Sequence, residues 1–147
     1  MLRGSAPARV DEKGRLKIPV HFRQAIEGKY GREFFITSFD GGLSVRMYPF
    51  PEWLEVEQKL MHAPSMDASV EKFREMVTYY GAMTSMDKQG RVLIQALLRE
   101  RAKMKEDVAI LGQLTYLGIW NRKKLDERIT NQTITDEDIR NLSERGF

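Results

Sequence analysis

A chain of 147 residues with 41% apolar side chains is long enough for one ordinary domain, or two small fused halves, around a packed core, which excludes a disordered segment. It has no cysteine, so disulfides, thiolate metal sites and a cysteine nucleophile are excluded, and nothing points to an oxidising compartment. The net charge of +3 conceals its distribution: residues 1–24 and residues 82–105 each carry six basic and two acidic side chains, while the remainder holds twelve basic and seventeen acidic. Two cationic stretches on an acidic scaffold are the pattern of a polyanion-binding surface.

The first nine residues put Arg3 and Arg9 where a signal peptide would need an apolar run, and the longest uncharged apolar stretch, Val108 to Asn121, is too short to span a bilayer. No membrane role is expected, and the cytoplasm is the default. A short strand is expected here, leading into Asp11-Glu12-Lys13-Gly14-Arg15-Leu16-Lys17-Ile18. This stretch reads as a hairpin. Gly14 can take the positive φ that closes a short loop, and Asp11 can accept from the loop's N–H groups. Leu16 and Ile18 then fall on one strand face and Arg15 and Lys17 on the other. Pro19 can occupy the first position of a short helix with Phe22, Ala25 and Ile26 as its apolar stripe, ended by Gly28.

A second hairpin is predicted from Phe34 to Thr37 and Leu43 to Tyr48 around Asp40-Gly41-Gly42, with Leu43, Val45 and Met47 alternating against Ser44, Arg46 and Tyr48. Pro51 opens a helix carrying Trp53, Val56 and Leu60, which Pro64 stops. Asp67 is the N-cap of a second helix with Val70, Phe73, Val77 and Tyr80 on one face and Gly81 as its C-terminal cap. The two form an αα-hairpin. The set Trp53, Met61, Phe73, Met76, Tyr79 and Tyr80 reads as core packing in preference to a ligand pocket, with a subunit interface as the alternative for some of its members.

The chain then repeats itself. Asp87-Lys88-Gln89-Gly90-Arg91-Val92-Leu93-Ile94 reproduces the first loop and strand 76 positions on (Asp11 to Asp87). Gln95 stands where Pro19 did, Leu98 and Ala102 take the places of Phe22 and Ile26, and Arg99 matches Arg23. Val108 to Leu111 and Leu117 to Trp120 match the second hairpin. Leu125 and Ile129 suggest a further short helix, and Thr135-Asp136-Glu137-Asp138 resembles a helix start with Ile139 and Leu142 on one face. This tail has no counterpart in the first half; weak packing and a role in assembly are both open. The expected units are residues 5–53, connecting helices 54–80, a second unit 82–125 and the tail 126–147.

An arginine at a hairpin edge offers planar, bidentate donors that suit a phosphate or the O6/N7 edge of guanine, and a two-stranded ribbon is narrow enough for the major groove. Asp11 and Asp87 are then loop-orienting, together with Gly14 and Gly90. The plainer alternative is an Asp–Arg salt bridge that only stabilises a turn; duplication within the doubly basic distribution favours DNA. Enzyme readings find little support. His21 and His62 have no clustered carboxylates or cysteines to complete a metal site or a triad, and neither a Gly-rich phosphate loop nor Gly-x-Ser-x-Gly occurs. No catalytic residue, metal or cofactor is therefore assigned. An antitoxin-like or scaffolding interaction module, gripping a partner through Thr130 to Phe147, is the third class.

Met1-Leu2-Arg3-Gly4, the Asp11 to Leu16 stretch with Pro19, Tyr48-Pro49 followed by Pro51 and Trp53, Asp87 to Arg91, and Gly118-Ile119-Trp120 together resemble the MraZ family over almost the whole chain. Leu2 replaces the family's commoner Phe. The resemblance implies an α+β fold of two tandem pseudo-symmetric swapped-hairpin units of the AbrB and SpoVT type, joined by the αα-hairpin and followed by a short helical tail. It also implies a cytoplasmic, nucleoid-associated homo-oligomer that forms rings and binds short direct repeats of double-stranded DNA in the promoter of its own cell-division and cell-wall gene cluster, usually as a repressor. The family's DNA-contact signature falls on Asp11 with Arg15 and Asp87 with Arg91. Arg3, Lys13, Lys17 and Lys88 are added as phosphate contacts from charge and proximity, and Arg23 and Arg99 stand equally as phosphate contacts or helix-surface residues.

Overall fold

A computed structural model describes residues 1–147. The strands are β1 (Leu2–Ala8), β2 (Arg15–Lys17), β3 (Glu33–Thr37), β4 (Val45–Pro49), β5 (Ala82–Ser85), β6 (Arg91–Leu93), β7 (Val108–Leu114) and β8 (Leu117–Asn121). The helices are α1 (Val20–Lys29), α2 (Phe50–His62), α3 (Ala68–Tyr79), α4 (Ala96–Arg101), α5 (Arg122–Asn131) and α6 (Asp136–Glu144). Six strands form an antiparallel sheet in the order β1-β7-β8-β4-β3-β5, and β2 pairs with β6 as a separate ribbon.

This topology interlocks the two halves. The hairpins β3–β4 and β7–β8 meet side by side where β4 pairs with β8, and each half's leading strand lies along the other half's hairpin: β1 runs against β7 from Leu2↔Leu114 to Ala8↔Val108, and β5 against β3 from Glu33↔Ser85 to Ile36↔Ala82. The expected first hairpin is corrected accordingly. β1 and β2 form no ladder with each other; the chain between them meets β2 in a single isolated bridge, Val10↔Leu16, and the ladder partner of β2 is its own repeat, β6. An edge strand presents unpaired N–H and C=O groups, and the nearest identical edge is the one on the other half. The fold is thus α+β, with two tandem swapped-hairpin units joined by α2 and α3.

A single core of 20 buried residues takes side chains from both halves, among them Leu16, Ile18, Val92 and Ile94 from the ribbon and its extensions, Phe22 and Ile26 from α1, and Leu98 from α4. Each such burial is worth about 1.5–3 kcal/mol, so the ribbon cannot roll over without exposing its underside. That fixes which face looks outward. On the far side of β3 and β4 a smaller cluster of Tyr48, Trp53 and Val77, with Phe35, Phe39, Val56 and Phe73, seats α2 and α3; Phe35 stacks on Trp53 at 4.3 Å and Phe39 meets Phe73 edge-on at 4.8 Å.

Caps follow local chemistry. Asp67 accepts from Ser69 N and Val70 N at the start of α3, and Thr135 and Asp138 form a reciprocal capping box at α6. Other local expectations need correction. Pro19 is the N-cap of α1, one residue ahead of the helix; Gly28 lies inside it, and Gly31 is the glycine with positive φ beyond its end. Gly81 follows α3 without positive φ and is required for space instead: a Cβ there would run into the Phe35 ring and meet Val77 O at 2.5 Å. Ala25 is exposed, as are Met61 and Tyr79, so none of these is core. The side of the Leu43–Tyr48 stretch expected to be polar is covered, with Tyr48 of β4 and Ser44 just before it buried and the Arg46 guanidinium held between the rings of Phe39 and Tyr116 at 3.9 and 4.4 Å. α6 buries no residue. No helix is long and apolar enough to cross a membrane.

Candidate nucleic-acid interface

Each repeated loop is closed by the same five hydrogen bonds. In the first, Asp11 N donates to Arg15 O at 2.9 Å and Gly14 N to Asp11 O at 3.0 Å. Asp11 Oδ1 accepts from Lys13 N and Arg15 N, both at 2.9 Å, while Oδ2 accepts from Arg15 Nε at 2.9 Å. In the second, Asp87 N donates to Arg91 O at 2.9 Å and Gly90 N to Asp87 O at 3.0 Å; Oδ1 accepts from Gln89 N and Arg91 N at 2.9 Å, and Oδ2 from Arg91 Nε at 2.8 Å. Gly14 and Gly90 adopt φ of +81° and +78°, a region that costs a residue with a Cβ about 1–2 kcal/mol.

These contacts set the ionisation of the carboxylates. The Asp11 carboxyl lies below its ordinary value of 3.8, chiefly because Arg15 N–H donates to it; desolvation opposes this next, and is outweighed with the further help of the Arg15 side chain, the Lys13 N–H and the Arg15 charge. Asp87 is lowered in the same way, by Arg91 N–H first, with Gln89 N–H in the place of Lys13. Both aspartates are committed to their loops and present one oxygen edge to their arginine. The arginine spends Nε on that contact, and its two terminal nitrogens make no hydrogen bond within the chain.

The loops also lock to each other. Ile18 N donates to Gly90 O at 2.8 Å and Ile94 N to Gly14 O at 2.9 Å. Arg23 and Arg99 do something that neither sequence alternative contained: each covers the glycine of the opposite loop. A Cβ on Gly14 would meet Arg99 Cζ at 2.6 Å, and one on Gly90 would meet Arg23 Cδ at 2.9 Å. Arg99 Nε donates to Ile94 O at 2.8 Å and Arg23 Nη2 to Lys88 O at 3.2 Å. Their matched positions in the repeat were the available signal, but only the swap shows where they reach.

The register of the ribbon pairs Arg15 with Leu93, Leu16 with Val92 and Lys17 with Arg91. Leu16 and Val92 face the core, so Arg15, Lys17, Arg91 and Leu93 share the outward face. Arg15 and Arg91 are diagonal neighbours, about 7–8 Å apart, roughly two base-pair steps of about 3.4 Å. Lys13 and Lys88 are exposed on the two flanking loops. Arg3 is not brought to this cluster: it pairs with Gln113 near the start of β1, whereas the loop follows the strand's other end at Ala8. His21 lies against Phe22, and His62 contacts Gln58 O through Nδ1.

The model for the family described as "MraZ protein, putative antitoxin-like" matches residues 1–75 and again 81–147. Among curated proteins, the chain is 45% identical over 147 residues to the transcriptional regulator MraZ of Acidobacterium capsulatum, covering 100% of both chains. It is 43% identical over 148 residues to the protein of that name from Koribacter versatilis, again over 100% of both. It is 33% identical to the one from Nitrosomonas europaea, over 95% of this chain and 94% of the relative.

Proposed function

The chain belongs to the MraZ family, and from that premise we propose that it is a DNA-binding transcriptional regulator whose β2–β6 ribbon enters the major groove. One observation carries the reading: the two Asp-x-x-Gly-Arg loops supply the two strands of a single ribbon, so that both arginines stand on one outward face above a fully buried underside. B-DNA's major groove, about 12 Å wide, admits such a ribbon. Arg15 and Arg91 keep their terminal N–H groups for guanine edges or phosphates, with Nε tied back to Asp11 and Asp87. Lys17 lies beside Arg91 on the same face, and Lys13 and Lys88 reach phosphates from the loops. Arg3 stands outside this contact set.

The relatives' name supports regulation of transcription, and we extend it to the family's expected habit. The chain represses its own cell-division and cell-wall gene cluster, associates with the nucleoid, and binds short direct repeats as a ring-shaped homo-oligomer. In such a ring, each weak ribbon contact gains from the others by avidity. An interaction module that works through the tail is the second reading. What favours it is α6, whose Ile139 and Leu142 are exposed.

Gel shifts on a promoter duplex at one fixed salt concentration test the first reading. Arg15→Ala and Arg91→Ala are each expected to weaken specific binding by about 1–3 kcal/mol, while Lys13→Ala chiefly flattens the salt dependence. Unchanged retardation by both arginine variants would refute it.

A further inference from the structure

The ribbon is almost, but not quite, symmetric under the pseudo-twofold. The repeat that carries residue 15 onto 91 and 17 onto 93 exchanges the pair Arg15↔Leu93 with Lys17↔Arg91, about the central pair Leu16↔Val92. The two arginines are therefore equivalent. The other two outward positions are not: one is the exposed Lys17 and the other is Leu93, 51% exposed. A lone exposed leucine is ordinary on a protein surface. This one is the single apolar member of an outward face whose other three side chains are cationic, directly across the ladder from Arg15.

We propose that Leu93 is a specificity-determining residue that packs on the C5-methyl of a thymine, and that it gives the ribbon a preferred direction on its target. The proposal rests on the major-groove reading above. In that groove thymine is the base whose edge carries a methyl, and aliphatic side chains mark it by contact, whereas a lysine at the same height seeks guanine O6/N7 or a phosphate. One end of the ribbon thus pairs an arginine with an apolar contact, and the other pairs an arginine with a second cation. A ribbon with two identical ends would bind a palindromic step equally well in both orientations. This one distinguishes them, and the bound sequence is asymmetric, with a thymine at the Leu93 end.

The test starts from a duplex enriched by the wild-type chain from random sequences. Each thymine is replaced in turn by uracil, which removes only the methyl, and affinity is measured at one salt concentration for the wild type, Leu93→Ala and Leu93→Lys. Because Leu93 projects from the surface, both variants should keep the wild-type melting temperature, which is checked first. The wild type should lose roughly three- to tenfold at one thymine, the worth of one buried methyl, and Leu93→Ala should bind the thymine and uracil duplexes equally. Leu93→Lys, repeated through the enrichment, should return a site closer to a palindrome. If every uracil replacement leaves wild-type binding within about twofold while Arg15→Ala and Arg91→Ala still lose it, the assignment of Leu93 is wrong and the groove reading stands. If the wild type enriches no sequence, both fall.

Discussion

Replacing Gly14 by alanine probes the joint between the two loops. The substitution has two separable costs. At φ of +81° an alanine is strained by about 1–2 kcal/mol. Its Cβ would also sit 2.6 Å from Arg99 Cζ and 2.7 Å from Nε, so the guanidinium must swing away. The backbone need not move, because the obstacle is the end of a flexible side chain; what is lost is the Arg99 bond to Ile94 O at 2.8 Å, worth about 1 kcal/mol net. The total is about 2–3 kcal/mol, or very roughly 5–10 °C in melting temperature at this chain length. Thermal denaturation of Gly14→Ala, Arg99→Ala and the double variant should show non-additivity of about 1 kcal/mol, since the second cost disappears once Arg99 is gone. Gly14→Asn should be milder, asparagine being tolerated at positive φ. A neutral Gly14→Ala, or an effect undiminished in the Arg99→Ala background, would refute the picture of an arginine lying over the opposite loop.

Three further outcomes follow from the same geometry. Asp11 and Asp87 have folded-state pKa values below the ordinary 3.8, so their contribution is complete above that value and is lost as pH falls through the lower folded values. The gap in melting temperature between the wild type and Asp87→Asn should therefore stay constant from about pH 7 to 5 and close below about 3.8; a gap that widens in acid would contradict it. Gly81→Ala forces a Cβ against Val77 O and the Phe35 ring, and should cost about 1–3 kcal/mol in urea denaturation. Removing residues 132–147 should change stability by less than about 1 kcal/mol, because every one of them is exposed and surface changes away from packing have small effects; a larger loss in chemical denaturation would show that α6 packs on the body.

Much of the local chemistry was legible because it depends on neighbours in the chain. The turn glycines, the aspartates that bond their own loops, the inward Leu16 and Ile18 and the caps at Asp67 and Thr135 all follow from residue type and spacing. Partner choice was not legible. Alternation says that Arg15 and Lys17 share a face, but it is equally compatible with a partner strand in the same half or in the repeat, and the structure takes the repeat. For the same reason Arg23 and Arg99 looked like surface or phosphate-binding residues: their targets, Lys88 O with Gly90 and Gly14, lie in the opposite half. Gly81 reads from the sequence as a conformational cap when its reason is the approach of Phe35, and Met61 and Tyr79 read as core because helical spacing does not reveal where a second layer stops. Of the candidate contacts, Arg15, Lys17 and Arg91 come together on one face, whereas Arg3 does not; charge along a chain carries no information on which end of a strand meets the loop.

The central claim is that one ribbon, built from both halves, presents two arginines to one stretch of groove. Interference footprints, by methylation at guanine N7 and by ethylation at the phosphates, read for the wild type, Arg15→Ala and Arg91→Ala on the same duplex, test it most directly. Each variant should lose sensitivity at its own guanine or phosphate, and the two positions should lie a few base pairs apart at most along one major groove, in keeping with the diagonal of about 7–8 Å. Positions half a helical turn or more apart, or an interference pattern that neither variant alters, would contradict it.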